Sequence, residues 1–515
     1  MPDYISLEQF KKKYCQNFVN VYSGTEGFLN NKDGKELSCK FEVGQLENGE
    51  MILICDFSVF DLQKCFPKFH YLETSSVSEI KTHMADYSFI FSTFCGEFKN
   101  FRGETSDKLM NITGVINLFF EIDDNSINDH NSERIKITYS LEKLAANTNI
   151  NEDIQYVKFG VTNFIFGDGD KLDKVLSLNI KGVKGFRIEK NENYEDASKF
   201  LMFSKGIRVT CDIIVENDIK TKMKDLEEIV CDLCDLMSIV WGTRIQWIYY
   251  CAYSSEGEIV SREHVHRVTK PFNFNKIIST NSTNILETFL ESSYISLADK
   301  SNILRDEEET AKPLINAYLD AKAESDYLEG RGIKLVVVME MLKKSFLKRN
   351  PELEYIITNE CFENISKKLE GAFKKVFLES TDSNESVNSI DSNLRKKFYA
   401  NIKGINRTSF FDILSRFCDD IKLPKNENGQ ENEEYLRSIV ASRNNLIHNG
   451  NFLCNSDKIE KRYKEIKDYP QFQDSEHECF FLMNFVDKCF LKLLHYKGNY
   501  YKWESATEGK DDKLL

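Results

Sequence analysis

The sequence lacks both a long apolar run and a leader pattern. No stretch approaches the roughly 18 consecutive apolar residues that mark a membrane-spanning helix. The first residues, Met1 to Phe10, do not have the basic start and apolar stretch that are typical of a signal peptide. We therefore expect a cytoplasmic protein that has no membrane partner.

An excess of basic residues is missing as well. The 515-residue chain has 68 Lys and Arg against 82 Asp and Glu, which gives a formal net charge of −14. Proteins that coat nucleic acid with most of their surface are basic. The composition excludes that class, so any RNA site must be a local basic patch on an acidic protein.

The spacing of the cysteines does not match that of a disulfide framework. There are 14 of them, scattered along the chain, which is typical of free thiols in a reducing compartment. Cys231 and Cys234 form a CxxC pair, but a structural zinc site needs two more ligands. His264 and His266 are the only histidines near enough in sequence to be considered. We interpret all four as structural or surface residues.

Several catalytic motifs are also absent. The chain has no P-loop, no G-x-S-x-G and no H-E-x-x-H. The run FGDGDKLD, Phe166 to Asp173, places three aspartates in a glycine turn but lacks the glycine and terminal glutamate of an EF-hand loop. It predicts a strand-to-helix turn. We expect no metal and no cofactor.

The patterns of apolar residues along the chain predict two domains that differ in secondary structure. A chain of 515 residues is too long for one core, and 41% apolar residues allow it to bury more than one. Residues 4–20 predict a short helix, and residues 226–240 predict an amphipathic helix with i, i+3, i+4 spacing. Alternating strands are predicted at Cys39–Gly44 and Met51–Phe57 around the turn Asn48-Gly49, and at 135–141, 209–215 and 245–253. Residues 1–275 thus read as an α+β, largely antiparallel domain.

After residue 275 only helical patterns remain. Asn284 and Glu287 resemble the start of a helix with a capping box. We predict an all-α bundle over 284–503, followed by a polar tail at 504–515. The predicted helices are 284–297, 306–325, 327–347, 353–377, 394–402, 408–420, 432–448, 457–467 and 475–495.

One segment of this bundle carries residues suited to chemistry. Leu436 to Gly450 reads LRSIVASRNNLIHNG, and Arg443 falls on the apolar stripe of the predicted helix. An arginine in that place is buried with a partner, lies at an interface, or reaches into a site. His448 follows at the end of the helix, and Asn449-Gly450 is a typical C-terminal end of a helix, called the helix exit below.

The pair suits RNA cleavage without a metal. Histidine can move protons near pH 7, and arginine can bind two oxygens of a phosphate with a permanent charge. Asn444 and Asn445 offer further donors. The alternative is a core arginine paired with a carboxylate and a histidine that caps the helix. The spacing by itself does not decide between these two interpretations.

The RNNLIH run, Arg443 to His448, resembles the R-x(4–6)-H motif of HEPN ribonucleases, in which a polar residue commonly follows the arginine. The upstream segment Tyr327 to Leu342 resembles an earlier core helix of that bundle. A long mixed N-terminal half before a C-terminal bundle resembles the layout of ApeA-type phage-defence proteins.

This resemblance implies a homodimer in which two copies of the motif form one composite, metal-independent RNase site. Arg443 and His448 would be catalytic, Asn444 would support them, and cleavage would leave a 2′,3′-cyclic phosphate and a 5′-OH. Glu329 and Glu340 are candidates for an acidic partner of Arg443, but a solvated helix face fits either one at least as well. It further implies that the N-terminal domain senses a phage protein and releases cleavage of host RNA, with tRNA as one candidate, in an abortive-infection response.

Other assignments stay open at this point. Asn445, Lys458, Lys461, Arg462 and Lys464 are candidate RNA contacts, but acidic residues are interleaved and a solvated surface fits equally well. The main alternative function is a non-catalytic HEPN module that binds a nucleotide or a protein. A third is a metal-dependent nuclease in the N-terminal half.

Overall fold

The computed structural model describes most of the chain. The described residues are 18–30, 36–58, 97–104, 109–122, 134–147, 153–167, 175–180, 183–216, 222–267, 271–272, 275–305, 312–323, 327–379, 401–423, 433–455, 472–505 and 508–514. They form two compact units, Met1–Ile295 and Ser296–Leu515. The units meet inside a helix that begins at Thr283, whereas the boundary predicted from sequence lies just before that helix.

Within the described residues, the first unit contains twelve strands and two helices, besides the helix that crosses its boundary. Its strands are β1 (Phe18–Asn30), β2 (Glu36–Leu46), β3 (Met51–Ser58), β4 (Glu97–Glu104), β5 (Leu109–Ile122), β6 (Arg134–Asn147), β7 (Tyr156–Thr162), β8 (Val175–Ile180), β9 (Val183–Lys190), β10 (Val209–Glu216), β11 (Trp247–Tyr253) and β12 (Ile259–Val265). The helices are α1 (Tyr194–Ser204) and α2 (Met223–Trp241).

All twelve strands belong to one antiparallel sheet, in the order β3-β2-β1-β4-β5-β6-β12-β11-β7-β10-β9-β8. β3 also pairs with β6, so the first six strands close into a ring. The long strand β6 makes this possible, because Leu141 pairs with Met51 of β3 while Lys143 pairs with Val265 of β12. The predicted α+β class with an antiparallel sheet is confirmed.

Helix α2 is amphipathic and supplies a large part of the apolar core of the first unit. Its residues Leu226, Val230 and Leu233 are fully or almost fully buried, as the i, i+4, i+7 spacing predicts. The indole of Trp247 in β11 donates to Cys231 Sγ of α2 at 3.3 Å, which joins helix and sheet. Gly242 ends the helix with a left-handed backbone at φ 64°, a conformation that glycine adopts without strain.

Two local predictions in this unit are wrong. Strand β1 begins at Phe18, so the end of the helix predicted over 4–20 is extended instead, and residues 4–17 lie outside the described range. The turn predicted at Phe166–Asp173 is followed by strand β8, not by a helix. In both cases pairing across the sheet decides the local structure, because β1 lies between β2 and β4 and β8 pairs with β9.

The second unit is a helical bundle around one long helix. Helices α3 (Thr283–Ala298), α4 (Pro313–Lys322), α5 (Leu328–Arg349), α6 (Asn359–Glu379), α7 (Phe410–Asp420), α8 (Glu433–Asn449) and α9 (Ser475–Leu493) follow in chain order, α3 crossing the boundary. α5 is central and packs against α4, α7, α8 and α9. These helices confirm seven of the predicted ones, although α6 begins at Asn359 where residue 353 was predicted, and residues 306–311 lie outside the described range. The predicted helix 394–402 falls mostly, and 457–467 entirely, outside the described residues.

A short hairpin corrects the all-α prediction for this region. β13 (Asn499–Trp503) pairs antiparallel with β14 (Gly509–Lys513), where a polar tail was predicted. Asn484 of α9 anchors the hairpin, since its amide donates to Trp503 O at 2.7 Å and accepts from Trp503 N at 3.0 Å. β14 reads GKDDK and has no apolar alternation, so only its pairing with β13 makes it a strand.

A buried ion pair connects α4 with α9. Lys322 Nζ lies 2.9 and 2.7 Å from the two carboxylate oxygens of Asp487, and both side chains are completely buried. Tyr318 donates to Asp487 at 2.7 Å, and Arg331 of α5 donates to the Lys322 carbonyl at 2.9 Å. Three helices are therefore linked by one polar network inside an apolar core. Among the helices that the structure describes, none has the length and apolar character to cross a membrane.

Candidate functional site at the end of helix α8

Helix α8 presents the motif because its apolar stripe packs inward. Leu436, Ile439 and Leu446 are fully or almost fully buried, which fixes the rotation of the helix. The helix ends at Asn449, and Gly450 follows with a left-handed backbone at φ 73° and open space around it. The predicted exit at Asn449-Gly450 is confirmed.

The chain beyond this exit is anchored at several points. Asn445 donates to both the carbonyl and the side chain of Asn451 at 2.9 Å. The ring of Phe452 fills the space beside Gly332 of α5, where a Cβ would lie 2.8 Å from it. The buried Glu478 accepts from the backbone N–H groups of Leu453 and Cys454 at 3.0 and 2.9 Å. The helix end that carries the motif is therefore held firmly against the bundle.

The structure selects Glu340, not Glu329, as the partner of Arg443. Arg443 Nε donates to Glu340 Oε1 at 3.0 Å, and Nη2 donates to the same oxygen. Nη1 donates to the side chain of Asn444 at 2.7 Å. The guanidinium also lies over the ring of Phe410, 4.7 Å from its centroid. Arg443 is thus clamped between a carboxylate and an aromatic face, with one N–H left on each of Nη1 and Nη2.

A second cation shares this carboxylate. Lys343 Nζ lies 2.6 Å from Glu340 Oε2 and 5.2 Å from the centroid of the Phe410 ring. Burial works against ionisation of Glu340, but the hydrogen bonds from Lys343 and Arg443 outweigh it and hold its pKa below the usual value. Two positive charges therefore surround one negative charge, and the cluster keeps a net positive charge that suits a phosphate.

His448 lies at the exposed side of the same helix end. It is the residue before the end of α8, and its side chain is open to solvent. Five residues along an α-helix correspond to a rotation of about 140° and a rise of about 7.5 Å. Arg443 contacts Glu340, so on an ideal helix this rotation turns His448 away from that contact. From this geometry we expect that the two side chains of one chain do not converge on a single phosphate.

An exposed apolar patch borders the two residues. Ile333 and Val337 share one face of α5 with Glu340, and Ile447 follows Leu446 of α8, which packs beside Gly332 of α5. Their side chains are exposed by 42%, 48% and 45% respectively. Exposed aliphatic side chains that form a contiguous patch mark interaction sites, so these three residues are a candidate interface.

The other predicted contact residues fall into two groups. Asn445 is buried, and its amide is used by Asn451 and by Asn449, which donates to Asn445 Oδ1 at 2.6 Å. That geometry makes it part of the helix exit and leaves no open face toward a ligand. The basic candidates Lys458, Lys461, Arg462 and Lys464 lie outside the described residues.

Lys343 belongs to a basic cluster at the end of its helix, which the sequence offered as a candidate phosphate contact, but its pairing with Glu340 was not predicted. Phe410 was not predicted at all, and the acidic partner was left open. The pairing of Lys343 could have been found, because it lies three residues after Glu340 on one helix face. Phe410 gives no such signal. It follows the N-cap Ser409, whose hydroxyl accepts from Asp412 N at 3.1 Å, and only the packing of α7 against α8 brings it under Arg443.

The histidine and cysteine pairs of the first unit serve the fold. His264 is fully buried, and its Nδ1 lies 2.7 Å from Gln45 Oε1. Burial, assisted by the charge of Arg262, lowers the pKa of His264 to about 3, so the ring stays neutral. Cys234 is buried in the core. No group of three or more His, Cys, Asp or Glu suited to a metal ion occurs within the described ranges.

One buried carboxyl of the first unit has an unusual environment. Asp212 in β10 has a buried Oδ1 for which the described part of the chain offers no hydrogen-bond partner. Burial raises the pKa of Asp212 to about 6, although the charges of Lys158 and Arg262 oppose the shift. Its charged neighbours, Lys158, Glu189 and Arg262, lie on strands of the same sheet.

No protein-family model matches this chain, and neither does any curated protein or solved structure. The function of the chain is therefore inferred from the geometry of its own site.

Proposed function

We propose that this protein is a HEPN-type, metal-independent endoribonuclease, and that Arg443 and His448 are its catalytic residues. The observation that carries the proposal is the clamped Arg443, whose helix ends with the exposed His448 and whose partner helix α5 exposes Ile333 and Val337. A core arginine with a purely structural role would not need a neighbouring apolar surface that is left open to solvent.

Each residue has a defined part in the proposed reaction. Arg443, with its remaining N–H donors and its permanent charge, binds the scissile phosphate and stabilises the charge that develops on it. His448 moves the proton of the 2′-OH or protonates the leaving 5′-oxygen. Glu340 and Asn444 hold the guanidinium in place and are positioning residues. The products would be a 2′,3′-cyclic phosphate and a 5′-OH.

A homodimer would solve the geometric problem of the single chain. Arg443 and His448 of one copy diverge by about 140° around α8. A second copy docked on the patch of Ile333, Val337 and Ile447 would bring its own α8 opposite the first. The two motifs would then line one composite site. We also propose, on the family resemblance, that the first unit senses a phage protein in the cytoplasm and releases cleavage of host RNA, tRNA being one candidate.

The test is cleavage of total cellular RNA by the purified full-length protein in EDTA. We expect the wild type to cut and to leave cyclic-phosphate ends. His448→Ala and Arg443→Ala should each lose at least a hundredfold in rate. For His448 this is the contribution expected of a general acid or base, and for Arg443 that of a group which stabilises the developing charge. His477→Ala is the matched control, because His477 is also exposed in the same unit. Equal cutting by all variants would refute the site.

The non-catalytic alternative has one observation in its favour. Three nitrogens of Arg443 already donate to Glu340 and Asn444, as a structural arginine would. If no RNA is cut even with infected-cell extract present, while the protein still dimerises through the patch, the alternative is preferred.

A further inference from the structure

One edge of the antiparallel sheet in the first unit is covered by helix α3. Strand β8 stands last in the sheet and, among the described strands, pairs only with β9. On its other side Ser177 N–H donates to Glu287 of α3 at 2.7 Å, and Asn179 N–H donates to Glu291 at 2.6 Å. All four residues belong to the first unit. Two carboxylates of a helix thus take the places where the carbonyls of a further strand would lie.

The spacing of helix and strand explains this match. Alternate residues of a strand direct their backbone groups to the same edge, so Ser177 and Asn179 both face away from β9. Two residues along a strand span about 6.7 Å, and four residues along an α-helix span about 6 Å. Glu287 and Glu291, four apart on α3, therefore reach the two N–H groups when the helix runs alongside β8. These two glutamates are called the latch below.

Strand β8 has no edge protection in its own side chains. It reads VLSLNI, contains neither a charged residue nor a proline, and alternates between exposed and buried positions. Its register with β9 is regular from Val175 to Leu178 and shifts only before Ile180. Edge strands are usually protected by lysine, proline or a bulge, because an uncharged and regular edge pairs readily with another chain. In this sheet the latch on α3 supplies the charge.

The latch satisfies only half of the hydrogen-bonding groups at this edge. A carboxylate accepts hydrogen bonds but donates none, so the latch cannot serve the carbonyls that Ser177 and Asn179 direct to the same side. A β-strand in its place would accept from the two N–H groups and donate to the two carbonyls. Both latch hydrogen bonds also lie at the surface, where water competes for the same groups. A strand therefore matches this edge more completely than the helix that covers it.

The edge of β8 is complementary to itself. Two copies placed antiparallel about a two-fold axis would exchange N–H and carbonyl groups in both directions, as an isologous interface requires. The sequence VLSLNI brings no like charges opposite each other in such a pair. At the other end of the strand order β3 pairs with β6, so β8 is the single open end among the described strands. Association through this edge would therefore stop at two copies.

We propose that α3 is an autoinhibitory latch, and that two copies of the chain join through their β8 edges into one continuous sheet when Glu287 and Glu291 release them. This interface lies in the first unit and is distinct from the patch of Ile333, Val337 and Ile447 in the second. The proposal does not depend on the proposed nuclease site, since none of its residues takes part.

The test is size exclusion with light scattering on the full-length protein that carries Glu287→Ala and Glu291→Ala, beside the wild type at the same concentration. We expect about twice the wild-type mass, because one pair of edges joins two molecules. Adding Ser177→Pro should restore the wild-type mass, since it removes an N–H of the outer edge but none that serves β9. Glu360→Ala with Glu363→Ala, on the exposed surface of α6, controls for the loss of two charges and should leave the mass unchanged.

A synthetic peptide with the sequence of residues 174–181, KVLSLNIK, probes the edge directly by fluorescence anisotropy. It should bind the double variant about tenfold more tightly than the wild type, whose edge is open in only a minor fraction of molecules. The Ser177→Pro form of the peptide should not bind, because it cannot donate at the central position. Circular dichroism and melting temperatures would show that the variants are folded. If the double variant unfolds, the single variants Glu287→Ala and Glu291→Ala decide by their affinity for the peptide.

Three results would overturn the proposal. The first is a folded double variant that keeps the wild-type mass and binds the peptide no better than the wild type. The second is an association that Ser177→Pro does not reverse, since another surface would then be responsible. The third is peptide binding without self-association, which would assign the edge to an extended segment of another protein and exclude the second copy as its occupant.

Discussion

Arg443 on α8 and Glu340 on α5 are joined across 103 positions of sequence, with Arg443 Nε 3.0 Å from the Glu340 carboxylate. The pair holds the guanidinium over Phe410 and leaves one N–H on each of Nη1 and Nη2 without a partner among the described residues. Neither helix could place this group without the other. This contact therefore joins α5 to α8 and also orients the arginine that we propose binds the phosphate.

Replacing Glu340 by Gln should disturb the orientation of Arg443 more than the fold. Both side chains are partly exposed, at 30% and 17%, so we expect a loss of only about 1 kcal/mol in the free energy of unfolding. RNA cleavage should fall at least tenfold, and Glu340→Asp should recover part of it. Unfolding in urea and cleavage in EDTA measure the two effects. Wild-type cleavage by Glu340→Gln would exclude the positioning role.

The same pair predicts a pH effect with a defined sign. The pKa of Glu340 in the folded protein lies below its usual value of 4.5. Its stabilising contribution is therefore fully present above pH 4.5 and is lost as the pH falls through the lower folded-state pKa. The stability difference between wild type and Glu340→Gln should stay constant from pH 5 to 7 and shrink at lower pH. A difference that grows on acidification would contradict the ion pair.

Ile447→Asp should disrupt the proposed dimer. The side chain is 45% exposed in the single chain, so a charge there costs little in the monomer. Burying an unpaired carboxylate in an interface is strongly unfavourable. Light scattering coupled to size exclusion should show a monomer, and RNA cleavage should be lost with it. Ile356→Asp is the control, because Ile356 is 66% exposed and lies outside the patch. An unchanged dimer in Ile447→Asp would place the interface elsewhere.

Asp487→Asn should destabilise the second unit severely. It removes the countercharge of the fully buried Lys322, and an uncompensated buried charge costs about 3–5 kcal/mol. Replacing both residues, as Lys322→Met with Asp487→Leu, should recover most of that loss. Thermal and urea unfolding would measure the difference. Equal stability of the single and the double variant would contradict the account of the network.

Asp212→Asn should remove a pH dependence from the first unit. The pKa of Asp212 is raised from 3.8 to about 6, so the folded state holds its proton more tightly than the unfolded state. The wild type is stabilised below pH 3.8 and loses that contribution as the pH rises through 6. At pH 7 we expect the variant to be more stable by up to about 3 kcal/mol. A less stable variant at pH 7 would mean that the carboxylate is satisfied.

The sequence by itself determined the local elements that depend on periodicity and on turn residues. The i, i+3, i+4 pattern of Leu226, Val230 and Leu233 predicted α2, and Asn48-Gly49 predicted the β2–β3 hairpin. The helices of the second unit and the exit at Gly450 followed from the same rules. It also identified Arg443 as a candidate functional residue, because an arginine on an apolar helix face is buried with a partner, lies at an interface or reaches into a site.

Only the tertiary structure decided what those residues meet. Periodicity says which face of a helix is buried but not what it is buried against, so it left Glu329 and Glu340 equal and gave no sign of Phe410 under Arg443. The ring of strands closed by β3 and β6 depends on pairing between segments about 80 residues apart. Contacts over such distances in sequence are set by the packing of the whole core, which no local pattern records.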